Sequence, residues 1–335
     1  MTKDRVFFDL GTVNLRVFSS KSGIIFQGPN CIAYEEDDVR AFGTEAVEIG
    51  NRDERDLNVV FPVKEGVIAD HHSLIDLLNR VLETGHKKKW FSKPDLVFSV
   101  SPFLNDIEQR AVEFVADSIA SSGVAILPEF LFLSAAKENF SVLSNQKTGE
   151  SVENWDFFVQ TGAGRVDISV ISNLNLITGK KIPSGMQRIK EKVLKRIRTD
   201  YGVETGFNAI KEILLDKKVK DFELRGRDKV TGNPLKKMIK SSYIKKIMDY
   251  ELERIYSGIR EIFEKTPPDL TGELLEKGIS FSGGPANQDW FVDLISEKIE
   301  PAINRPGDPG AQILKGFERV SELSRKDFER LTTAF

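Results

Sequence analysis

The sequence predicts a two-lobed α/β protein with a ligand site between the lobes, and three observations carry that prediction. Two segments in different halves share one plan, a short apolar run, a polar residue, a glycine turn and a further strand: Val6-Phe-Phe-Asp-Leu-Gly, then Asp156-Phe-Phe-Val-Gln-Thr-Gly-Ala-Gly. A third apolar run, Ile279-Ser-Phe-Ser, enters another glycine turn late in the chain. Between these runs lie segments with helical spacing of apolar residues, the pattern of sheets flanked by helices.

Taken in order, Arg16-Val-Phe and Gly23-Ile-Ile-Phe follow the first turn as strands. The polar stretch from Glu35 to Asp56, with Gly43 and Gly50, reads as a small excursion from the main sheet. Leu74, Ile75, Leu77, Leu78, Val81 and Leu82 predict a helix over 71–83. Leu96 to Val100 is a buried-strand run, followed by a helix over 105–121 and a strand at Ala125-Ile-Leu. In the second half Val166 to Ile171 and Leu174 to Ile177 pair as strands, and helices are expected over 186–200, 207–215 and 289–298. The basic run from Lys236 to Lys246 reads as the solvated face of a helix.

Composition narrows the function. The chain has 335 residues, 40% hydrophobic and 30% charged, enough for two cores of about 150 residues each. A net charge of −3 argues against nucleic acid as a partner, since duplex binders carry a basic excess. One cysteine, Cys31, and three histidines form neither an internal disulfide nor a zinc site. No secretory core opens the sequence and no run of about 18 apolar residues occurs, so a cytoplasmic protein is expected, with contact to a membrane surface left open.

The turns Asp9-Leu-Gly-Thr-Val-Asn, Gln160-Thr-Gly-Ala-Gly-Arg and Ser282-Gly-Gly-Pro-Ala each follow a strand. Backbone N–H groups and a hydroxyl in such a turn can cradle phosphate oxygens, while an adjacent acid holds hydrated Mg²⁺. Singly, each is equally what a hairpin or strand–helix connection requires. Three at strand ends in matching halves point to a phosphate ligand.

At these residues the chain resembles the bacterial actin family, MreB, across nearly its whole length. The resemblance rests on Asp9-Leu-Gly-Thr-Val-Asn-Leu, Pro62-Val-Lys-Glu-Gly-Val-Ile-Ala-Asp70 and Glu223-Leu-Arg-Gly-Arg-Asp228. Pro267-Pro-Asp-Leu, Gly278-Ile-Ser-Phe-Ser-Gly-Gly, and Asp308-Pro309 ahead of Gly316 extend it. It implies an actin-like, ribonuclease H-like duplicated ATPase fold with four subdomains: a first lobe over 1–146 with its small subdomain near 31–64, and a second over 147–335 with its own near 186–245. It further implies ATP with Mg²⁺ in the cleft and filaments that guide wall synthesis and cell shape. Carried over by position, it puts Thr12, Val13 and Asn14 on the phosphates, and Asp9 near the metal, acting through water. Gly162, Ala163 and Gly164 become the second phosphate turn. Asn208 to Lys211 lie beside the adenosine, and Gly283, Gly284, Pro285 and Ala286 pass under the nucleotide. Glu129 falls where the family carries a glutamate that positions the attacking water, so Asp9, Glu129 and Gln160 take the catalytic positions. As a helix-entry acid, Glu129 would equally interact with the positive end of a helix.

The second turn departs from the family pattern Asp-Ile-Gly-Gly-Gly-Thr. Gln160 replaces the acid, Arg165 replaces the threonine hydroxyl, and Ala163 adds a methyl where backbone must approach phosphate. Gly-Gly-Asp before the long helix reads Ser184-Gly-Met186, the usual glutamate of the adenosine helix is Asn208, and Pro285 has no N–H to donate. Phosphoryl transfer depends on positioning and electrostatics, so a slow ATPase at most is expected.

Finally, His86-Lys-Lys-Lys-Trp90-Phe91-Ser-Lys93-Pro94 joins a helix to a strand. Lys87, Lys88 and Lys89 would each contribute roughly 1 kcal/mol near an anionic lipid surface, with Trp90 and Phe91 as interfacial anchors. Alternatively the rings pack back onto the lobe and the lysines are solvated. The family resemblance implies a membrane-contacting loop here, on the inner face of the cell membrane. It also implies paired antiparallel protofilaments of the chain with itself, and wall-synthesis membrane proteins or another actin relative as further partners. Two other readings share the fold: an adaptor that has lost nucleotide binding, and a small-molecule kinase, for which no substrate pocket is marked.

Overall fold

The computed structural model describes residues 3–50, 57–85, 93–137, 155–215, 221–333 and 335. The basic aromatic loop, Lys87 to Phe91 included, and the boundary at 146 lie outside the described residues.

In the first lobe β1 (Arg5–Leu10), β2 (Asn14–Ser19) and β3 (Gly23–Pro29) form an antiparallel meander. Next come β4 (Ile32–Glu35), β5 (Asp38–Phe42), α1 (Thr44–Gly50) and β6 (Leu57–Val60), whose separate sheet, ordered β5-β4-β6, is the excursion read from the sequence. A hairpin of β7 (Val63–Lys64) and β8 (Val67–Ile68) leads into α2 (His71–Gly85), β9 (Asp95–Val100), α3 (Asp106–Asp117), β10 (Gly123–Pro128) and α4 (Glu129–Ala135). β9 and β10 add in parallel, giving the order β10-β9-β1-β2-β3. The continuous apolar run of β1 follows from its place in the middle, covered on both faces. Phe8 stacks on Phe98 at 4.8 Å within the core under α2 and α3, while Phe7 stacks on Phe317 at 5.2 Å on the opposite side. A capping box starts α3: the Asn105 side chain accepts from the Ile107 and Glu108 amides, and Glu108 accepts from the Asn105 amide. This helix ends short of the expected 121 because the Ile119 amide donates to Ala116 in a tighter turn.

The second lobe repeats the plan. β11 (Trp155–Thr161), β12 (Val166–Ser172) and β13 (Asn175–Ile182) form the meander. α5 (Met186–Tyr201), β14 (Val203–Glu204), α6 (Phe207–Leu215), β15 (Asp221–Asp228) and β16 (Pro234–Lys240) follow, with a small sheet ordered β14-β15-β16. α7 (Ser241–Lys265), α8 (Pro268–Lys277), β17 (Ile279–Ser282), α9 (Asp289–Ser296) and β18 (Ile303–Asn304) complete it. The large sheet is β13-β12-β11-β17-β18, with β17 and β18 parallel to β11, the same topology as in the first lobe. One element differs from expectation. Lys236 to Lys240 lies in β16, and the helix begins only at Ser241. Leu235 and Ile239 face inward four residues apart, a spacing that a strand and a helix both satisfy.

α10 (Gln312–Ser321) and α11 (Arg325–Thr333) return to the first lobe, so the second lobe expected over 147–335 does not include them. Ile313, Phe317, Val320 and Phe328 pack with Phe7, Val97 and Phe132, and Phe158 and Ile171 of the second lobe join the same core. A Cβ on Gly316 would lie 2.1 Å from the Phe132 carbonyl oxygen, so α10 approaches α4 this closely only with glycine there. Arg5 Nη1 donates to the Leu323 carbonyl at 2.9 Å, and the guanidinium lies 4.3 Å from the Phe328 ring centroid.

Candidate functional site

The cleft between the lobes encloses about 500 Å³, and all three glycine turns open onto it. Asp9, Thr12, Val13, Asn14, Glu129, Gln160, Gly162, Ala163, Gly164, Asn208, Lys211, Gly283, Gly284 and Pro285 line it together. Ala286 does not; its methyl is buried in the core of the second lobe.

Buried Asn30 holds the first turn down: its side-chain amide donates to the Gly11 carbonyl at 2.7 Å and its backbone amide to Val13 at 2.8 Å. Thr12 Oγ1 accepts from the Gly66 amide at 2.8 Å, which ties this turn to the β7–β8 hairpin. The second turn is tight, with the Gly162 amide donating to the Arg165 carbonyl at 2.8 Å. Its other carbonyls face the start of α5: Gly185, Met186 and Gln187 amides donate to Gly164, Gly162 and Ala163 at 3.1, 3.0 and 2.9 Å. Donors that a helix N-terminus would otherwise offer to an anion are thereby satisfied within the lobe. At the third turn Gly283 has φ +92°, and a Cβ there would fall 1.9 Å from the Thr161 carbonyl oxygen. Thr161 Oγ1 donates to the Ser282 carbonyl at 2.7 Å, and the Ser282 hydroxyl donates to Gln160 Oε1, binding the second and third turns together.

The electrostatics centre on Arg165. Its Nη2 meets Glu129 Oε1 at 2.5 Å, its Nε meets Asp167 Oδ2 at 2.9 Å, and its Nη1 donates to the Gly66 carbonyl at 2.8 Å. Beside it Arg16 Nη1 pairs with Asp9 Oδ2 at 2.6 Å. Burial pushes the Glu129 carboxyl up, to about 7, against the pull of Arg165, while Asp167 and Asp9 add to the rise. For Arg165 burial works against the charge, but Glu129, Asp167 and Asp9 outweigh it and hold the guanidinium above its ordinary value. At the other end of the cleft Lys190 lies 5.2 Å from the Phe207 ring centroid. Burial, and then neighbouring Lys211, lower its pKa. Two cationic side chains lining one cavity suit an anionic ligand.

A divalent cation does not fit the acids present. Each of Asp9, Glu129 and Asp167 has a guanidinium within 2.9 Å, and the Gln160 amide oxygen accepts from Ser282. Among the described residues no group of three or more His, Cys, Asp and Glu side chains is arranged to hold a metal ion. The expectation that Asp9 serves Mg²⁺ through water therefore meets a carboxylate already neutralised by Arg16.

Sequence reasoning named Arg165 only for the hydroxyl it displaces, and missed Arg16, Asn30, Asp167 and Lys190. A signal existed for one of them: Arg165 and Asp167 are two apart where β12 begins, so they share a face. Glu129 is 36 residues from Arg165 in the chain, and only the fold brings them together.

This architecture, two lobes of identical sheet topology around a glycine-lined cleft, is the actin-like fold. The chain aligns with the solved MreB5 of Spiroplasma citri bound to ADP at a TM-score of 0.80, with 21% identity over 95% of each chain. It aligns with the MamK double helical filament at a TM-score of 0.75, with 16% identity over 96% of this chain and 99% of that one. The MreB/Mbl protein family profile matches residues 3–329, and the chain belongs to that family. Related proteins include the cell shape-determining protein Mbl of Bacillus subtilis, 25% identical over 88% of this chain and 89% of that one. The cell shape-determining protein MreB of Escherichia coli is 24% identical over 96% and 94% respectively.

Proposed function

We propose that this chain is the subunit of a membrane-associated cytoskeletal filament that takes ATP into its interlobe cleft and turns it over slowly or not at all. The observation that carries the reading is the Arg165–Glu129 ion pair inside an otherwise well-formed cleft. A carboxylate held by a guanidinium at 2.5 Å is not free to orient a water molecule, and the hydroxyl expected at position 165 is absent. The cavity volume, the three turns and the Lys190–Lys211 pair support a nucleotide as ligand. Filament formation is supported by the likeness to a relative solved as a double helical filament and by family membership along the whole fold. Head-to-tail repetition of such a subunit does not close, giving protofilaments with a repeat of roughly 50 Å, about the height of a two-lobed globule. Antiparallel pairing would present the Trp90–Phe91 loops of both strands to the inner membrane surface, where repetition turns weak anchors into avidity. Wall-synthesis membrane proteins, or a related actin with an intact second turn, would then be its partners.

Electron microscopy of purified protein with ATP and anionic vesicles, run beside a phosphate-release assay, tests this. Straight paired filaments with little phosphate released are expected. Isolated particles at high concentration, or release at the rate of an active bacterial actin, would refute it. A second reading, an adaptor that no longer takes nucleotide, is favoured by one contact: a Cβ on Gly164 would lie 2.2 Å from Thr12 Oγ1, so the first and second turns already touch. Equilibrium binding of a fluorescent ATP analogue separates the two.

A further inference from the structure

The second turn carries a charge that the phosphate-binding plan does not require, and its contacts cross the cleft. From the second turn, just before β12, Arg165 reaches Glu129 Oε1 at 2.5 Å and the Gly66 carbonyl at 2.8 Å in the first lobe, while Asp167 on β12 accepts from Nε at 2.9 Å. Its side chain is 14% exposed, and those of Glu129 and Asp167 are 9% and 4% exposed. We propose that Arg165 is a built-in cation that stands in for a divalent metal in this cleft, strapping the two lobes together so that closure needs neither metal nor nucleotide. The inference concerns the cleft discussed above but does not require ATP to bind there.

Three observations converge on it. First, the charges nearly balance without metal: Asp9, Glu129 and Asp167 face Arg16 and Arg165, and Asp167 Oδ1 is buried with no hydrogen-bond partner among protein atoms. Taking Arg165 away would leave two buried carboxylates without a counter-ion, the condition under which a divalent ion is drawn in. Second, the guanidinium fork fixes direction as well as charge. Nε, Nη1 and Nη2 each have their own acceptor on three separate segments, an arrangement a spherical lysine charge cannot reproduce. Third, the lobes meet closely where the strap lies. Gly164 touches Thr12 and Gly66, Lys181 Nζ bonds Glu108 Oε2 at 2.5 Å, and Arg188 lies 3.5 Å from Glu65. A cation delivered by the chain is present at fixed local concentration, whatever the supply of metal.

The test measures closure directly in the full chain. With Cys31→Ala as background, spin labels at Asn58→Cys and Lys229→Cys, exposed positions on the two small subdomains, report the distance between lobes. For the parent a single narrow distance is expected, unchanged by EDTA or by Mg²⁺. Arg165→Thr should give a broader, longer distribution in EDTA, and Arg165→Lys should recover only part of the closure. Mn²⁺ titration followed by its own EPR signal should show Arg165→Thr binding at least about tenfold more tightly than the parent, a difference of about 1.4 kcal/mol. The proposal is overturned if the parent distance changes on adding or removing metal, if Arg165→Thr stays closed in EDTA, or if both proteins bind Mn²⁺ equally. Should Arg165→Thr fail to fold, the parent and Arg165→Lys measurements still decide it. Absence of ATP binding would count against the proposed function while leaving the closure result to stand alone.

Discussion

Replacing Arg165 with alanine removes the guanidinium that pairs with two buried acids, and the cost is set by what remains. Glu129 and Asp167 are 9% and 4% exposed at their side chains, so solvent offsets little of the lost partner. Breaking a buried ion pair from one side costs about 3–5 kcal/mol, and the Gly66 carbonyl loses its donor as well. The penalty should depend on pH. With Arg165 in place the Glu129 carboxyl already sits at about 7, raised by burial above its ordinary 4.5. Without that cation it rises further, so the variant relaxes by protonating Glu129. A carboxyl raised by folding binds more protons folded than unfolded between those values. Its contribution is therefore full below the ordinary carboxylate range and is lost as pH climbs through the folded value. Urea unfolding at about pH 8 and about pH 5.5 should show a larger loss for Arg165→Ala at the higher pH. Adding Glu129→Gln should recover part of that loss. A variant within about 1 kcal/mol of the parent at pH 8 would refute the reasoning, because the pair would then be solvated rather than buried.

Three further outcomes are expected. The double change Gln160→Asp, Arg165→Thr frees Glu129 and restores an acid and a hydroxyl, so phosphate release should rise by at least about tenfold over the parent. Changing both Trp90 and Phe91 to Ser should abolish pelleting with anionic liposomes, whereas neutralising Lys87, Lys88 and Lys89 should weaken it and reduce its salt sensitivity; unchanged pelleting of the Ser variant would remove the loop as anchor. Gly316→Ala places a methyl 2.1 Å from the Phe132 carbonyl oxygen and should lower stability by about 1–3 kcal/mol, read as a drop in the thermal midpoint.

Much of the fold was legible because its sheets are built from short apolar runs ending in glycine turns. Phe7, Phe8 and Phe98, and again Phe157 and Phe158, had to be strand residues of a sheet covered on both sides. The lining of the cleft was legible for the same reason, since turns at matching strand ends converge. What could not be read was anything set by distance in the chain. Lys236 to Lys246 reads as one basic helix face, yet Leu235 and Ile239 lie at a spacing that a strand satisfies equally, and the first five residues of the run belong to β16. The helices from 312 to 333 carry an amphipathic pattern that says they cover something without saying which lobe. Arg165 was noticed for a missing hydroxyl, but its partners Glu129 and Gly66 lie 36 and 99 residues away. Only packing reveals that the substitution adds a contact as well as removing one.

The return of the last two helices to the first lobe also imposes an order of events on synthesis. Strand β1 has one face ready for α2 and α3 as soon as they emerge, but its other face, with Phe7, is covered only in part by Phe132 of α4 until Phe317 arrives. Arg5 finds its acceptor on Leu323 and its ring on Phe328, 318 and 323 positions later. The whole second lobe must be made between those two moments. Closing a loop that long is entropically slow to initiate, though each further doubling of its length adds only about 0.6 kcal/mol. A nascent chain would therefore carry the part of that sheet face which α4 leaves open throughout translation of the second lobe, with Phe7 short of its Phe317 partner. The first lobe is therefore completed last, although its strands are the first to be made.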